Sequence, residues 1–329
     1  MKRLISIIMI ALLIITVSAG CQSENQVNSE GEMPDSGEKI SVVTTIFPQY
    51  DFTRQIAGDM AEVTMLLKPG AESHSFEPTP QDIIKIQNCD VFIYVGGEND
   101  EWVDSILDSV DQSNIKIIKL LDCVDALGEE IIEGMEAHDH EHHEDHEEHE
   151  EHGVEYDEHV WTSPQNAVII TNVIRDVLCF VDAPNAEAYM ANAEKYTEQL
   201  NQLDAEFRDV VENANRKTIV FGDRFPLRYF TEAYGLDYWA AFPGCSTESE
   251  PSAATVAYLA DKVMAEKLPV VFKIELSSGN VAQSIAEATG AKAMTFHSCH
   301  NLSKTDFENG ATYLSLMEKN VEALKEALN

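Results

Sequence analysis

Six apolar residues set the geometry of the middle of this chain. Tyr189, Tyr196, Leu200, Leu203, Phe207 and Val210 recur at spacings of seven, four, three, four and three. They therefore share one face of a helix and leave a charged face opposite. The stripe predicts one helix over residues 184–213, about 45 Å long, either crossing from one half of the chain to the other or packing on one domain. On each side, short β-type runs alternate with helical stretches. In the first half the runs are 40–46, 62–67, 91–95 and 115–121, with helices at 50–59 and 80–88. In the second half they are 218–221, 238–242, 270–275 and 293–296, with helices at 251–267 and 282–289. Such alternation predicts two parallel α/β domains. Runs such as Val270-Val271-Phe272 suit strands covered on both faces.

The segment before residue 39 does not share this pattern. Lys2 and Arg3 precede a mostly apolar run over 4–17, followed by Ser18-Ala19-Gly20-Cys21. The run is too short to span a bilayer and ends in small residues, so 1–20 reads as a secretory signal. Small residues directly before Cys21 resemble a bacterial lipobox, with Ser18 in place of the usual Leu, and make that thiol the expected lipidation site. Residues 21–38 are polar and aperiodic and read as a tether. The expected organisation is then a first lobe over 39–182, a linker helix over 183–214 and a second lobe over 215–329. The body is expected outside the cytoplasm, anchored by lipid to the outer face of the cell membrane.

The chain is acidic, with 58 Asp+Glu against 22 Lys+Arg and a net charge of −36. That argues against nucleic acid and anionic ligands and in favour of cations. No Lys or Arg occurs between residues 121 and 174. The centre of this stretch reads HDHEHHEDHEEHEEH over 138–152 and holds His138, His140, His142, His143, His146, His149 and His152. Like charges three and four apart disfavour a helix, so about 129–155 is expected to form a mobile loop inserted in the first lobe. Imidazoles among carboxylates catch zinc weakly and reversibly, and this makes the tract a candidate auxiliary metal collector.

Only four histidines lie outside the tract, namely His74, His159, His297 and His300. Each falls where a strand ends or a loop turns, which is where open α/β sheets bind ligands. Imidazole suits zinc, copper and nickel. Zinc takes about four ligands, and Asp223, after the run 218–221, is placed to add a carboxylate. HExxH, GxSxG, P-loop and GxGxxG patterns are all absent, so an enzyme is not expected. Of the six cysteines, Cys245 and Cys299 both fall in loops of the second half and are the candidate disulfide. Cys89, Cys123 and Cys179 read as buried thiols.

Several segments resemble the metal-ion class of ABC-transporter substrate-binding proteins, solute-binding protein family 9. PGAESHSFEPTPQD (69–82) is similar to its first metal-ligand motif and YDEHVWTSP (156–164) to its second. STESEPSAAT (246–255) is similar to its C-domain signature, and YLSLMEKNVEALKEAL (313–328) to its terminal helix. The resemblance runs from about residue 39 to the C-terminus. It implies two α/β lobes joined by one rigid helix, with metal in the cleft between them. It also implies lipid anchoring and, in zinc members, an acidic His-rich loop. His74 and His159 match family ligands, and His297 falls where the family places its last, usually acidic, ligand. At the third position the family has HxAFxY, whereas this chain reads GDRFPLRYF (222–230). Asp223 is the nearest liganding side chain there, and His300 is the alternative. The resemblance implies a monomeric zinc receptor that serves an ABC permease and its ATPase. Manganese is the alternative cargo, and surface adhesion would at most be a secondary role.

Overall fold

The computed structural model describes residues 39–72, 76–136, 155–246 and 250–329. The signal, the tether with Cys21, His74 and the histidine tract lie outside the described residues. The first lobe holds β1 (Ile40–Thr44), β2 (Ala61–Met65), β3 (Val91–Tyr94) and β4 (Lys116–Lys119). The second holds β5 (Thr218–Phe225), β6 (Asp237–Pro243), β7 (Val270–Lys273) and β8 (Lys292–Thr295). Their orders are β2-β1-β3-β4 and β6-β5-β7-β8, so both lobes wind the same way. Every pairing is parallel. Parallel sheets need cover on both faces, and Val91 to Tyr94 and Val270 to Phe272 are buried throughout.

The first lobe's helices are α1 (Phe47–Ala57), α2 (Pro80–Gln87), α3 (Glu101–Leu107) and α4 (Pro164–Val181). Their starts are written locally. Thr79 and Asp82 form a capping box ahead of Pro80, and Ser163 caps α4 ahead of Pro164. The apolar stripe becomes α5 (Ala186–Glu212), 27 residues long, with all six stripe residues buried. Its first half meets the first lobe: Asn192 donates to Ile56 O at 2.9 Å, and Tyr196 packs on Phe52. Its second half meets α6 (Arg228–Tyr234), where Phe207 stands edge-on to Phe230 and Tyr234 donates to Asp204 at 3.0 Å. The remaining helices are α7 (Ala253–Glu266), α8 (Asn280–Thr289), α9 (Lys304–Glu308) and α10 (Tyr313–Leu328). One apolar core runs from β1 and α1 through α4, α5 and α10 to β5 and β7, with two smaller clusters on the outer sheet faces.

Three expectations change. The strand expected over 218–221 continues to Phe225, with a register shift between Phe221 and Arg224. Gly-Asp suggests a turn, yet Gly222 is needed because α8 leaves no room there: a Cβ would meet the Ala282 backbone at 2.7 Å. Residues 129–136, expected in a mobile loop, instead lie on the second lobe. Glu136 N bonds Ala241 O at 3.0 Å, and its carboxylate accepts from Thr255 Oγ1 at the start of α7; Glu130 pairs with Arg228 at 3.2 Å. These acids find donors on the second lobe that a solvated loop would lack. The expected Cys245–Cys299 disulfide is not made, since both are free thiols. Cys299 is wholly buried in the core, whereas Cys245 is held on a loop by its N–H bond to Glu129.

Candidate metal centre

The strand ends of both lobes converge on one cleft, lined by Ala71 and Glu72 from the first lobe's loop, by His159, and by Arg224, Glu275 and His300 from the second lobe. His159 opens a short 3-10 turn (Val160–Thr162) that leads into α4. It is 1 % exposed, and its ring Nδ1 stands 3.2 Å from Asp157 Oδ1. That carboxylate makes Nδ1 the protonated nitrogen and leaves Nε2 with its lone pair. Nε2 is buried with no hydrogen-bond partner among the described residues. A buried polar atom without a partner costs roughly 1–3 kcal/mol, and a metal ion would relieve that cost. Carboxylate–histidine pairs are the usual support of a metal-ligating imidazole. Burial disfavours the charged ring, but Asp157, Glu158 and Glu129 outweigh it and hold His159 above its ordinary pKa.

His300 reaches the cleft through a turn. Cys299 has φ 59°, a left-handed conformation unusual for a residue with a side chain. The turn is fixed by Glu275, which is half-buried just after β7. Its carboxylate accepts from Ser298 N at 2.7 Å and Ser298 Oγ at 2.8 Å. Burial raises the Glu275 pKa against those donors. Trp161 Nε1 donates to Ser298 O at 2.8 Å. The rings of His159 and His300 end 5.3 Å apart, centre to centre, with Trp161 packed against both.

The other expected ligands fall elsewhere. His297 lies two residues past the end of β8, but it is not among the residues lining the cleft. Its backbone exchanges two bonds with Asn320, at 2.7 and 2.8 Å. Burial, Lys319 and Lys273 push its pKa down to about 4. Asp223 spends its carboxylate on the backbone, accepting from Arg224 N at 2.9 Å and Ile274 N at 3.3 Å. Its neighbour Arg224 takes the place in the cleft and pairs with Glu72 at 3.2 Å. Among the described residues, no group of three or more His, Cys, Asp or Glu side chains is arranged to hold a metal ion. His74 is outside that set. Sequence reading missed Arg224, Glu275 and the support from Asp157. Only the last had a local signal, the DxH spacing in YDEHVW.

On the first-lobe side, a second recess next to His300 contains Asp100 and Glu158. Burial pushes Asp100 up to about 6 and Glu158 to about 7, against backbone donors to both and the Asn99 side chain on Glu158.

This fold matches known proteins. The sequence profile of the family described as ZnuA, zinc-uptake complex component A periplasmic, matches residues 42–327. The zinc-binding lipoprotein AdcA of Streptococcus pneumoniae is 33 % identical over 289 residues, covering 88 % of this chain and 56 % of the relative. The high-affinity zinc uptake system protein ZnuA of Bacillus subtilis is 33 % identical over 301 residues, covering 92 % and 91 %. The Zn(II)-bound ZnuA-like domain of Streptococcus pneumoniae AdcA superposes with TM-score 0.72 at 32 % identity, over 88 % of this chain and 99 % of that one. The two parallel four-stranded sheets are the two-lobed α/β fold of ZnuA-like structures. The chain belongs to the ZnuA family. It spans about half the length of the streptococcal relatives it matches.

Proposed function

We propose that this chain is an extracytoplasmic receptor that takes one zinc ion between its lobes and presents it to an ABC permease and its ATPase. The observation that carries this reading is the buried Nε2 of His159, left without a partner while Asp157 holds Nδ1, 5.3 Å ring to ring from His300 in the interlobe cleft. His159 and His300 are the described ligands in this reading, and His74 is the third. A set rich in imidazole suits zinc. Glu275 and Asp157 orient the ligands and do not touch the ion. A zinc-loaded receptor differs from an empty one in how its lobes are tied together, and a permease can select the loaded form by that difference.

The reading also keeps Cys21 as the lipid anchor, a monomeric body with lobes at 39–182 and 215–329 around the helix at 183–214, and no enzymatic step. Family relatives named as zinc-binding lipoproteins support the anchor and the cargo. The histidine tract would act as an outer collector. Manganese is the second reading, favoured by one observation: Arg224, which cannot ligate, stands in the cleft where another imidazole would have strengthened the preference for zinc.

Metal analysis of the purified protein with residues 137–152 deleted tests the assignment. One equivalent of zinc, lost on His159→Ala, is the expected result. One equivalent of manganese selects the second reading, and no bound metal overturns both. Extra weak zinc equivalents in the undeleted chain would establish the collector.

A further inference from the structure

The loop before residue 73 belongs to the first lobe, but it is bonded to the second at two separate points. One point is buried. Asn301, 2 % exposed, donates its side-chain amide to Lys68 O and Ala71 O, both at 2.9 Å, and Gly70 N donates to Leu302 O at 2.8 Å. These bonds tie the loop to the turn that carries His300. The other point is ionic. Arg224 enters from the irregular end of β5, and its guanidinium forks onto Glu72, with Nη1 to Oε1 at 3.3 Å and Nη2 to Oε2 at 3.2 Å. Nη1 also reaches Ser246 O at 3.3 Å. The Arg224 side chain is 11 % exposed and that of Glu72 44 %.

We infer that these two points form an interlobe clamp in which Asn301 is the fixed point and Arg224 the releasable one, and that Arg224 is a positioning residue setting how fast the cleft gives up its metal. The inference rests on the cleft being the metal site. The Arg224 guanidinium offers no lone pair to a metal. Its effect on the cargo must therefore pass through what it holds. A half-exposed ion pair contributes little to folding, but a forked one fixes orientation. Because Glu72 is partly solvated, salt weakens this point, while the buried Asn301 bonds are hardly screened. Salt then loosens the cleft at one edge only.

Stopped-flow release of zinc from the full chain into excess chelator tests this, using Glu72→Gln, Arg224→Gln, the double variant and Arg224→Lys. Each Gln variant should speed release about three- to tenfold, and the double should be no faster than either single. Arg224→Lys should recover part of the loss. Raising salt should speed release from the parent and leave Arg224→Gln nearly unchanged; a residue needed only for folding would not produce that difference. Singles within 1.5-fold of the parent, or effects that multiply in the double, overturn the clamp. Glu72→Gln, at the exposed end, keeps the test open if the Arg224 variants fail to fold. His159→Ala in the same series separates the two claims. If it still releases zinc as slowly as the parent, the site assignment fails. If it loses zinc while the Gln variants match the parent, only the clamp fails.

Discussion

Asp157 Oδ1 accepts two bonds from His159, the ring Nδ1 at 3.2 Å and the backbone N–H at 2.8 Å. The same carboxylate thus fixes the backbone position of the ligand, the tilt of its ring and its tautomer. Asp157→Asn keeps an acceptor oxygen but loses the charge. Zinc affinity should fall about 10- to 100-fold, the usual cost of losing such support. A competition titration against a chromophoric chelator would measure it, and an affinity within twofold of the parent would remove Asp157 from the site.

The cleft should bind zinc and respond to pH in opposite senses with and without metal. Zinc competes with a proton for His159 Nε2, and the folded pKa of His159 lies above 6.5. Affinity should weaken as pH falls through that raised value, by up to about tenfold for each pH step of one below it. In the metal-free protein, protonated His159 contributes stability that is complete below 6.5 and is lost as pH rises through its folded pKa. Asp100 and Glu158 act the same way: their folded pKa values, about 6 and about 7, are raised, so the folded state favours their neutral forms. Their contribution is complete below about pH 4, where both would be neutral in the unfolded chain as well, and is lost as pH rises through those folded values. The metal-free Tm should therefore decline from pH 5 to 8 while the increment from added zinc grows. Differential scanning fluorimetry across that range would show both trends, and a metal-free Tm that climbs would contradict them.

Glu275 holds the His300 turn with both carboxylate oxygens. Glu275→Gln sets an NH2 group against a donor, so one buried bond is lost and one repulsion is added. The expected cost is about 2–3 kcal/mol, read by urea unfolding of the metal-free protein, together with weaker zinc binding as His300 loses its support. Unchanged unfolding with normal zinc binding would mean that the turn holds itself.

At Gly222 the limit is space. Gly222→Ala drives a methyl into the Ala282 backbone, which cannot swing aside as a side chain would. Overpacking of this kind costs about 1–3 kcal/mol. Because it pries α8 from β5, the variant should also weaken zinc binding through Arg224. A calorimetric Tm equal to that of the parent would show that the contact relaxes.

What sequence could reveal was local. The strand runs and the stripe of α5 each follow from neighbours within a few residues, and both are present. His159 was legible for the same reason, since it stands in YDEHVWTSP just before the Ser163-Pro164 start of α4. That His300 lines the cleft and His297 does not was not legible. It depends on the left-handed turn at Cys299, which exists because Glu275, 23 residues away from Ser298, supplies the bonds that hold it. The bonds of Asp223 were not legible either, because a carboxylate after a strand looks the same in sequence whether it faces a cleft or caps backbone. The irregularity in β5 directs Asp223 to the Ile274 amide and leaves Arg224 in the cleft.

The core that runs unbroken from β1 through α5 to β5 has a consequence for how the molecule comes apart. Leu200, Leu203 and Phe207 are buried in that shared core, so neither sheet can shed its partner without exposing apolar surface to water. Melting should then be a single cooperative event, with calorimetric and van't Hoff enthalpies in agreement. A protease nick near residue 183 should release no half that folds alone. Two sheets here amount to one unit of inheritance and of failure: damage to either is felt by the whole.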